Sequence, residues 1–311
     1  MSRLDDFVTP PAGHEPPTVA VAMANDPEVI RCIAKASQLG LARFILIGPH
    51  DRILAVAAEH RADLGTAGFI DETDEEAACA RAARLVGEGR ARIIMKGLVQ
   101  TATFSRAFLN KELDLVPPGN LVSHVAFLDI EGYHKLLIMT DGGLNIDPDV
   151  PRKAAIIRNA IDFARQVGIR RPKVALISAI ENVTPKIRST TDAREFVALA
   201  EQGRFGEAIV DGPFGLDIAV SAEAARVKGV TSDVAGDADI LLMPNIESGN
   251  VFYKTVTQFA PCAVAATIAG ARCPIIITSR SDTEAVKFLS LALAVKSITR
   301  EMVGRGGPAA P

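Results

Sequence analysis

Between residues 18 and 96, short continuous apolar runs alternate with amphipathic stretches. TVAVAMA predicts a buried strand, 26–39 a helix, RFILIG a second strand and 52–60 a second helix. Apolar runs this short, set between stretches of helical spacing, suit strands covered on both faces, and so predict a parallel sheet with crossover helices. ARIIMKG adds another such strand, while HVAFLDI and KLLIMTD predict a strand pair turning at Glu131-Gly132-Tyr133. After Asp141 the rhythm restarts with a helix over 151–167, the strand KVALIS, a helix from Asp192, and the strands EAIVDG and DILLMPN. Residues 259–271 read as an Ala-rich helix, PIIITS as one more strand, and 283–299 as a closing helix with Asp282 as its N-cap. Residues 1–17, rich in Pro and charge, predict a loose arm, and GRGGPAAP a frayed tail. At 311 residues the chain exceeds what one core usually serves, so the pattern predicts two α/β domains, or one large one, with room for a cleft.

Composition narrows the function classes. A formal charge of -3 gives no overall basic field, and the absence of Trp with only two Tyr removes base-stacking platforms, so neither nucleic acid nor an anionic membrane is expected as a partner. Cys32, Cys79, Cys262 and Cys273 form no C-x-x-C pair and no metal-ligand spacing with the histidines, so buried thiols in a reducing compartment and no bound metal are expected. Without a signal-like segment or a spanning apolar run, a cytoplasmic location is expected.

Ligands of open parallel sheets gather where strands end and helices begin. Four segments have that form. In MKGLVQTATFSRAF an apolar strand ends at Lys96-Gly97, and Thr101 and Thr103 precede Arg106 at helical spacing. A phosphate site and a plain cap with a solvent-facing Arg106 fit equally well. In PIIITSRSDTEAV a strand runs into Ser279-Arg280-Ser281-Asp282, which reads either as an oxyanion site with a base or, more simply, as an ordinary N-cap box. IVDGPFGLDIAV carries Asp211 and Gly212 in a turn, and LLMPNIESGNVFYK carries Pro244, Glu247, Gly249, Asn250 and Lys254 into a helix. Each alone is also an ordinary turn composition. His124, on an apolar strand, reads as a core histidine. No P-loop, G-x-G-x-x-G after the first strand, nucleophile elbow or zinc pattern is present.

Taken together and in order, MKGLVQTATFSRAFLNKE, SHVAFLD, LIMTD, PKVALISAIE, VDGPFGLDIAVS, KGVTSDVAGDADILLMPNIESGNVFYK and TSRSD resemble the phosphate acetyl- and butyryltransferase family, the butyryltransferase branch more closely. The resemblance covers nearly the whole chain. It implies two α/β domains with mostly parallel sheets, of the isocitrate/isopropylmalate dehydrogenase-like fold, with the active cleft between them. The first would be 1–128 plus 270–311 and the second 129–269, bringing Thr101, Arg106, Ser279 and Arg280 together. It further implies transfer of a short acyl group, acetyl to butyryl, between coenzyme A and phosphate in a ternary complex. Acyl-CoA, phosphate and acyl phosphate would be substrates, with no bound cofactor and a homodimer or higher homo-oligomer as the assembly. By the same resemblance Arg106, Thr101 and Arg280 hold phosphate, Ser279 hydrogen-bonds the thioester, and Asp282 is the base for the CoA thiol, with Glu284 as the competing base. Gly97, Asp211, Gly212, Pro244, Glu247, Gly249, Asn250 and Lys254 would line the cleft. The alternatives are an NAD(P)-dependent dehydrogenase of the same fold, for which no acidic metal-ligand set is evident, and a non-catalytic binder of acyl-CoA or acyl phosphate. No hydratase activity is expected.

Overall fold

The computed structural model describes residues 2–9, 15–279 and 282–305, with side chains through residue 298. The chain divides into two compact units, Met1–Asn120 with Ala265–Pro311, and Leu121–Val264.

The first unit begins with β1 (Thr18–Ala22), α1 (Pro27–Gln38), β2 (Arg43–Gly48), α2 (His50–Glu59), β3 (Gly68–Asp71), α3 (Glu75–Gly87), β4 (Ile93–Lys96) and α4 (Thr101–Phe108). α1 starts where its sequence says it should. Asp26 accepts a hydrogen bond from the Val29 amide at 2.8 Å and Pro27 occupies the first turn, a cap contributing about 1 kcal/mol. The helix then buries Val29, Ile30, Ile33 and Ala36 as one stripe. β4 is buried at every position, as a central parallel strand must be, whereas β3 is a short, largely exposed edge.

The second unit contains β5 (Ser123–Ile130), β6 (Leu137–Thr140), α5 (Val150–Gln166), β7 (Lys173–Ile177), α6 (Arg188–Glu201), β8 (Ile209–Phe214), α7 (Leu216–Val220), α8 (Ala222–Val227), β9 (Ile240–Leu242) and α9 (Ile246–Phe259). Its strands run β5-β6-β9-β7-β8. β5 and β6 are the expected antiparallel pair; the other neighbours are parallel. Phe127 and Phe163 meet edge to face beneath α5, with centroids 6.0 Å apart.

β10 (Cys262–Ala269) carries the chain back to the first unit, followed by β11 (Ile275–Ile276) and α10 (Glu284–Arg305). In that unit the order is β3-β2-β1-β4-β11-β10, with β11 parallel to β4 and antiparallel to β10. β10 corrects the Ala-rich helix expected over 259–271. Val264 to Ala269 are all buried and Thr267 Oγ1 donates to the Ile275 carbonyl at 3.2 Å. Alanine's helix preference amounts to only tenths of a kcal/mol per residue and yields to a paired, doubly covered strand. The N-cap expectation for Asp282 is corrected too. α10 begins at Glu284, and the Asp282 carboxylate turns back to accept from the Ser279 amide.

Candidate active site

β1, β4 and β11 are parallel neighbours, so their carboxyl ends lie along one edge of the first unit. The loops leaving that edge are Met23–Asp26, Gly97–Gln100 and Ser279–Asp282. Gly97 is required sterically: a Cβ there would stand 2.7 Å from the Ala22 oxygen and nearer still to that of Met23. The chain can pass so close because the Gly97 and Leu98 amides donate to those same oxygens, each at 2.8 Å. α4 then opens at the exposed Thr101. Its N-cap, Gln100, makes no side-chain capping bond, which leaves first-turn N–H groups free of that cap.

Arg106 sits in the last turn of α4. It is exposed and donates to Glu76 Oε1 of α3 at 2.8 Å and to Thr103 Oγ1 at 3.2 Å. The Ser279–Asp282 turn closes on itself, with the Ser279 amide 2.6 Å from Asp282 Oδ2 and the Asp282 amide 3.1 Å from the Ser279 oxygen. Arg280 and Ser281 lie outside the described residues. Glu284, the competing base, faces α1: its Oε1 is 3.4 Å from Lys35 Nζ, and its amide donates to Glu28 Oε2 at 2.9 Å. The first unit thus brings Gly97, Thr101, Ser279 and Asp282 to one sheet edge, with Arg106 further along α4.

In the second unit β6, β9, β7 and β8 are parallel, and Pro244, Glu247, Gly249, Asn250 and Lys254 follow the carboxyl end of β9. Asp211 and Gly212 lie within β8 and not in the turn expected for them: Asp211 pairs with Ala175 of β7, and its Oδ1 accepts from the Gly212 amide at 2.8 Å. Pro244 and Glu247 line a cavity of about 470 Å³ together with Asp147, Lys153, Arg188 and Ser189. Gly249 has a packing reason of its own, since a Cβ there would come within 2.6 Å of the Asp141 oxygen and 2.8 Å of Gly142 Cα. Asn250 Nδ2 donates to the Gly142 oxygen at 3.4 Å, and Lys254 is exposed with Nζ 5.6 Å from the Tyr253 ring.

Asp141 was not among the sequence candidates. One of its oxygens accepts from the Gly143 and Leu144 amides and the other from the His124 amide and Asn145 Nδ2, at 2.7–3.1 Å. That shapes the loop after β6 and sets Gly143 against the His124 ring, which meets Tyr253 edge-on at 6.2 Å. The run Thr140-Asp141-Gly142-Gly143 after an apolar strand was the available signal.

None of the thiols is activated. Burial pushes Cys273 up to about 12, and Cys79 and Cys262 to about 11. Burial, reinforced by Glu284, raises Cys32 further. Among the described residues no three His, Cys, Asp or Glu are grouped to hold a metal ion, and no helix is long and apolar enough to cross a membrane.

Parallel sheet edges that end in loops with closely packed glycines, hydroxyls and a helix start without a side-chain cap are the places where α/β enzymes commonly receive anionic ligands. Comparison with known proteins sharpens that class. A model of the family described as "Phosphate acetyl/butaryl transferase" matches residues 76–295. The chain is 43% identical over 276 residues to phosphate butyryltransferase of Clostridium acetobutylicum, covering 89% of this chain and 91% of that one. It is 36% identical over 293 residues to phosphate acetyltransferase of Rhizobium meliloti, covering 94% and 92%. The crystal structure of a branched-chain phosphotransacylase from Enterococcus faecalis V583 superposes with a TM-score of 0.81 at 34% identity, covering 90% and 98%. The chain belongs to the phosphate acetyl/butyryltransferase family and is an acyltransferase with the two-unit, isocitrate dehydrogenase-like α/β fold.

Proposed function

We propose that this enzyme transfers a short acyl group between the thiol of coenzyme A and inorganic phosphate, directly and without an acyl-enzyme. The observation that carries this reading is the pairing of β4 with β11, which sends the Gly97–Thr101 and Ser279–Asp282 loops off one sheet edge. A phosphate dianion and a thioester both present oxygens that repel a nucleophile, so cationic and N–H groups must gather where they meet. The first turn of α4 and Thr101, with the guanidinium groups of Arg280 and Arg106, take the phosphate in this scheme. Arg106 exchanges its exposed partner Glu76 for the ligand, an exchange that costs little because exposed ion pairs contribute about 0–1 kcal/mol.

In the acyl-phosphate-consuming direction Asp282 takes the proton of the CoA thiol. The thiolate attacks the acyl carbonyl, the carbon–oxygen bond to phosphate breaks, and inorganic phosphate leaves with the electron pair. In reverse a phosphate oxygen attacks the thioester, the carbon–sulfur bond breaks, and Asp282 returns the proton to sulfur. Ser279 donates a hydrogen bond as charge develops. Asp282 is favoured over Glu284 because the latter's carboxylate is directed at Lys35 of α1. The high thiol pKa values support transfer without a cysteinyl intermediate, and four free thiols suit a reducing, cytoplasmic setting. Gly97 in the first unit, and Asp211, Gly212, Pro244, Glu247, Gly249, Asn250 and Lys254 in the second, are the further residues assigned to acyl-CoA in this scheme.

Thiol release from acetyl-, propionyl- and butyryl-CoA, with and without phosphate, tests the reading. Phosphate-dependent release is expected, and its absence with every acyl chain refutes it. Asp282→Asn should lower kcat by about 10²–10⁴-fold, the usual worth of a general base, with Glu284→Gln far milder. The reverse ranking transfers the role to Glu284.

A further inference from the structure

Two lysines that play no part in the proposed chemistry are buried at the same sheet edge. Lys96, the last residue of β4, is 3% exposed and donates from Nζ to the carbonyl oxygens of Gly97 at 3.2 Å and Val99 at 3.0 Å. Lys287, in the first turn of α10, is 2% exposed and donates to the carbonyl oxygens of Ser279 at 3.1 Å and Asp282 at 3.0 Å. β4 and β11 are neighbours, so one device recurs beneath two adjacent loops. An ammonium taken out of water must have its donors filled. Here two of them go to main-chain oxygens of irregular loops that have left the sheet ladder, and in each case the two oxygens bracket the loop.

We propose that Lys287 and Lys96 are positioning residues for acyl transfer. Each is a buried ammonium that clamps a loop by its main-chain oxygens and so presets the groups that meet the reacting phosphate and thiol. The inference rests on the reading that the Ser279–Asp282 turn carries the chemistry. For that turn the logic is direct. The Asp282 carboxylate is held by the Ser279 amide, and the main chain on either side of that bond is held by Lys287. Removing the lysine takes the buried ammonium away from both oxygens and weakens the hold on the main chain at Ser279 and Asp282. Lys287 donates to main-chain oxygens of its own turn, so substrate affinity depends on it much less than the alignment of reacting atoms does.

Lys287→Met keeps most of the unbranched stem and removes the charge and donors. In the full-length enzyme its kcat for phosphate-dependent thiol release should fall at least about tenfold, since displacements of the order of 1 Å cost about 10²-fold. KM for acyl-CoA and phosphate should hold within about twofold, the signature of an interaction lost in the transition state alone. Lys287→Ala should regain part of its kcat when propylammonium is added, which a merely structural role does not predict. Lys96→Met should behave like Lys287→Met. A folded Lys287→Met enzyme, checked by circular dichroism, with wild-type kcat overturns the inference. If that variant does not fold, wild-type amide exchange decides: Ser279 and Asp282 amides should be protected, and exchange as fast as in an unstructured loop overturns it. Asp282→Asn run in parallel separates the two readings. If it is active, the base assignment fails. If it is inactive while Lys287→Met is fully active, only the lysine inference falls.

Discussion

Lys153 of α5 and Asp192 of α6 form a buried ion pair in the second unit, Nζ to Oδ2 at 2.6 Å, with side-chain exposures of 4% and 7%. Its two ends are unequal. Asp192 has a second cation, the half-exposed Arg188, with Nε 3.7 Å away, whereas Asp192 is the sole ion-pair partner of Lys153 among the described residues. At an effective dielectric of about 20 the direct attraction at this separation is roughly 6 kcal/mol before desolvation is subtracted. Leaving one partner buried alone costs about 3–5 kcal/mol. Asp192→Leu strands the Lys153 ammonium and should reach that full range. Lys153→Met leaves Asp192 beside Arg188 and should cost roughly half as much. The double variant puts two apolar side chains in place of the pair and should return to within about 1 kcal/mol of the wild type, so the single effects will not add. Urea unfolding followed by circular dichroism reads all three, which suits a chain with no Trp. Equal costs for the single variants, or additivity in the double, would refute the reasoning.

Two further predictions follow from the charges and thiols. Asp237 accepts from Lys135, Lys173 and His134, and although desolvation works to raise its pKa, these bonds hold it well below the ordinary carboxylate value near 3.8. A carboxyl depressed in this way contributes its full stabilisation above its unfolded value and loses it progressively as pH falls from there through its lower folded value. Melting temperature should therefore drop below about pH 4, and Asp237→Asn should flatten that drop while lowering stability at pH 7; an unchanged acid limb contradicts the assignment. The buried thiols should resist iodoacetamide at pH 7.5 in the native enzyme and react after denaturation, as read by intact mass. Rapid native alkylation with loss of activity would reopen a thiol mechanism.

Elements with strong local grammar were legible. Asp26 and Pro27 mark the start of α1, the apolar runs mark β1, β2, β4 and β7, and Glu131-Gly132-Tyr133 turns β5 into β6. β10 was not, because CAVAATIA favours a helix in isolation and becomes a strand only through its partner β11 and its burial. The same limit applied to the site. The spacing of Thr101 and Arg106 is visible in one dimension, but Glu76, the partner of Arg106, lies 30 residues away. Gly249 read as a ligand-wall residue, and its close approach to Asp141 and Gly142 depends on a contact no local pattern encodes. Lys287 sits in the apolar run of α10, where its spacing announces burial but not what its three donors would find.

By itself the amino-acid sequence determined most of the alternation of strands and helices, the net charge of -3 and the family, because these rest on local periodicity, summed charge and an ordered set of motifs. Tertiary structure alone decided which strand ends became neighbours, which glycines had to be bare, and which buried charges found partners. β4 meets β11, Gly97 meets Ala22 and Lys153 meets Asp192 across tens to hundreds of positions, contacts set by packing and by the need to satisfy polar groups removed from water.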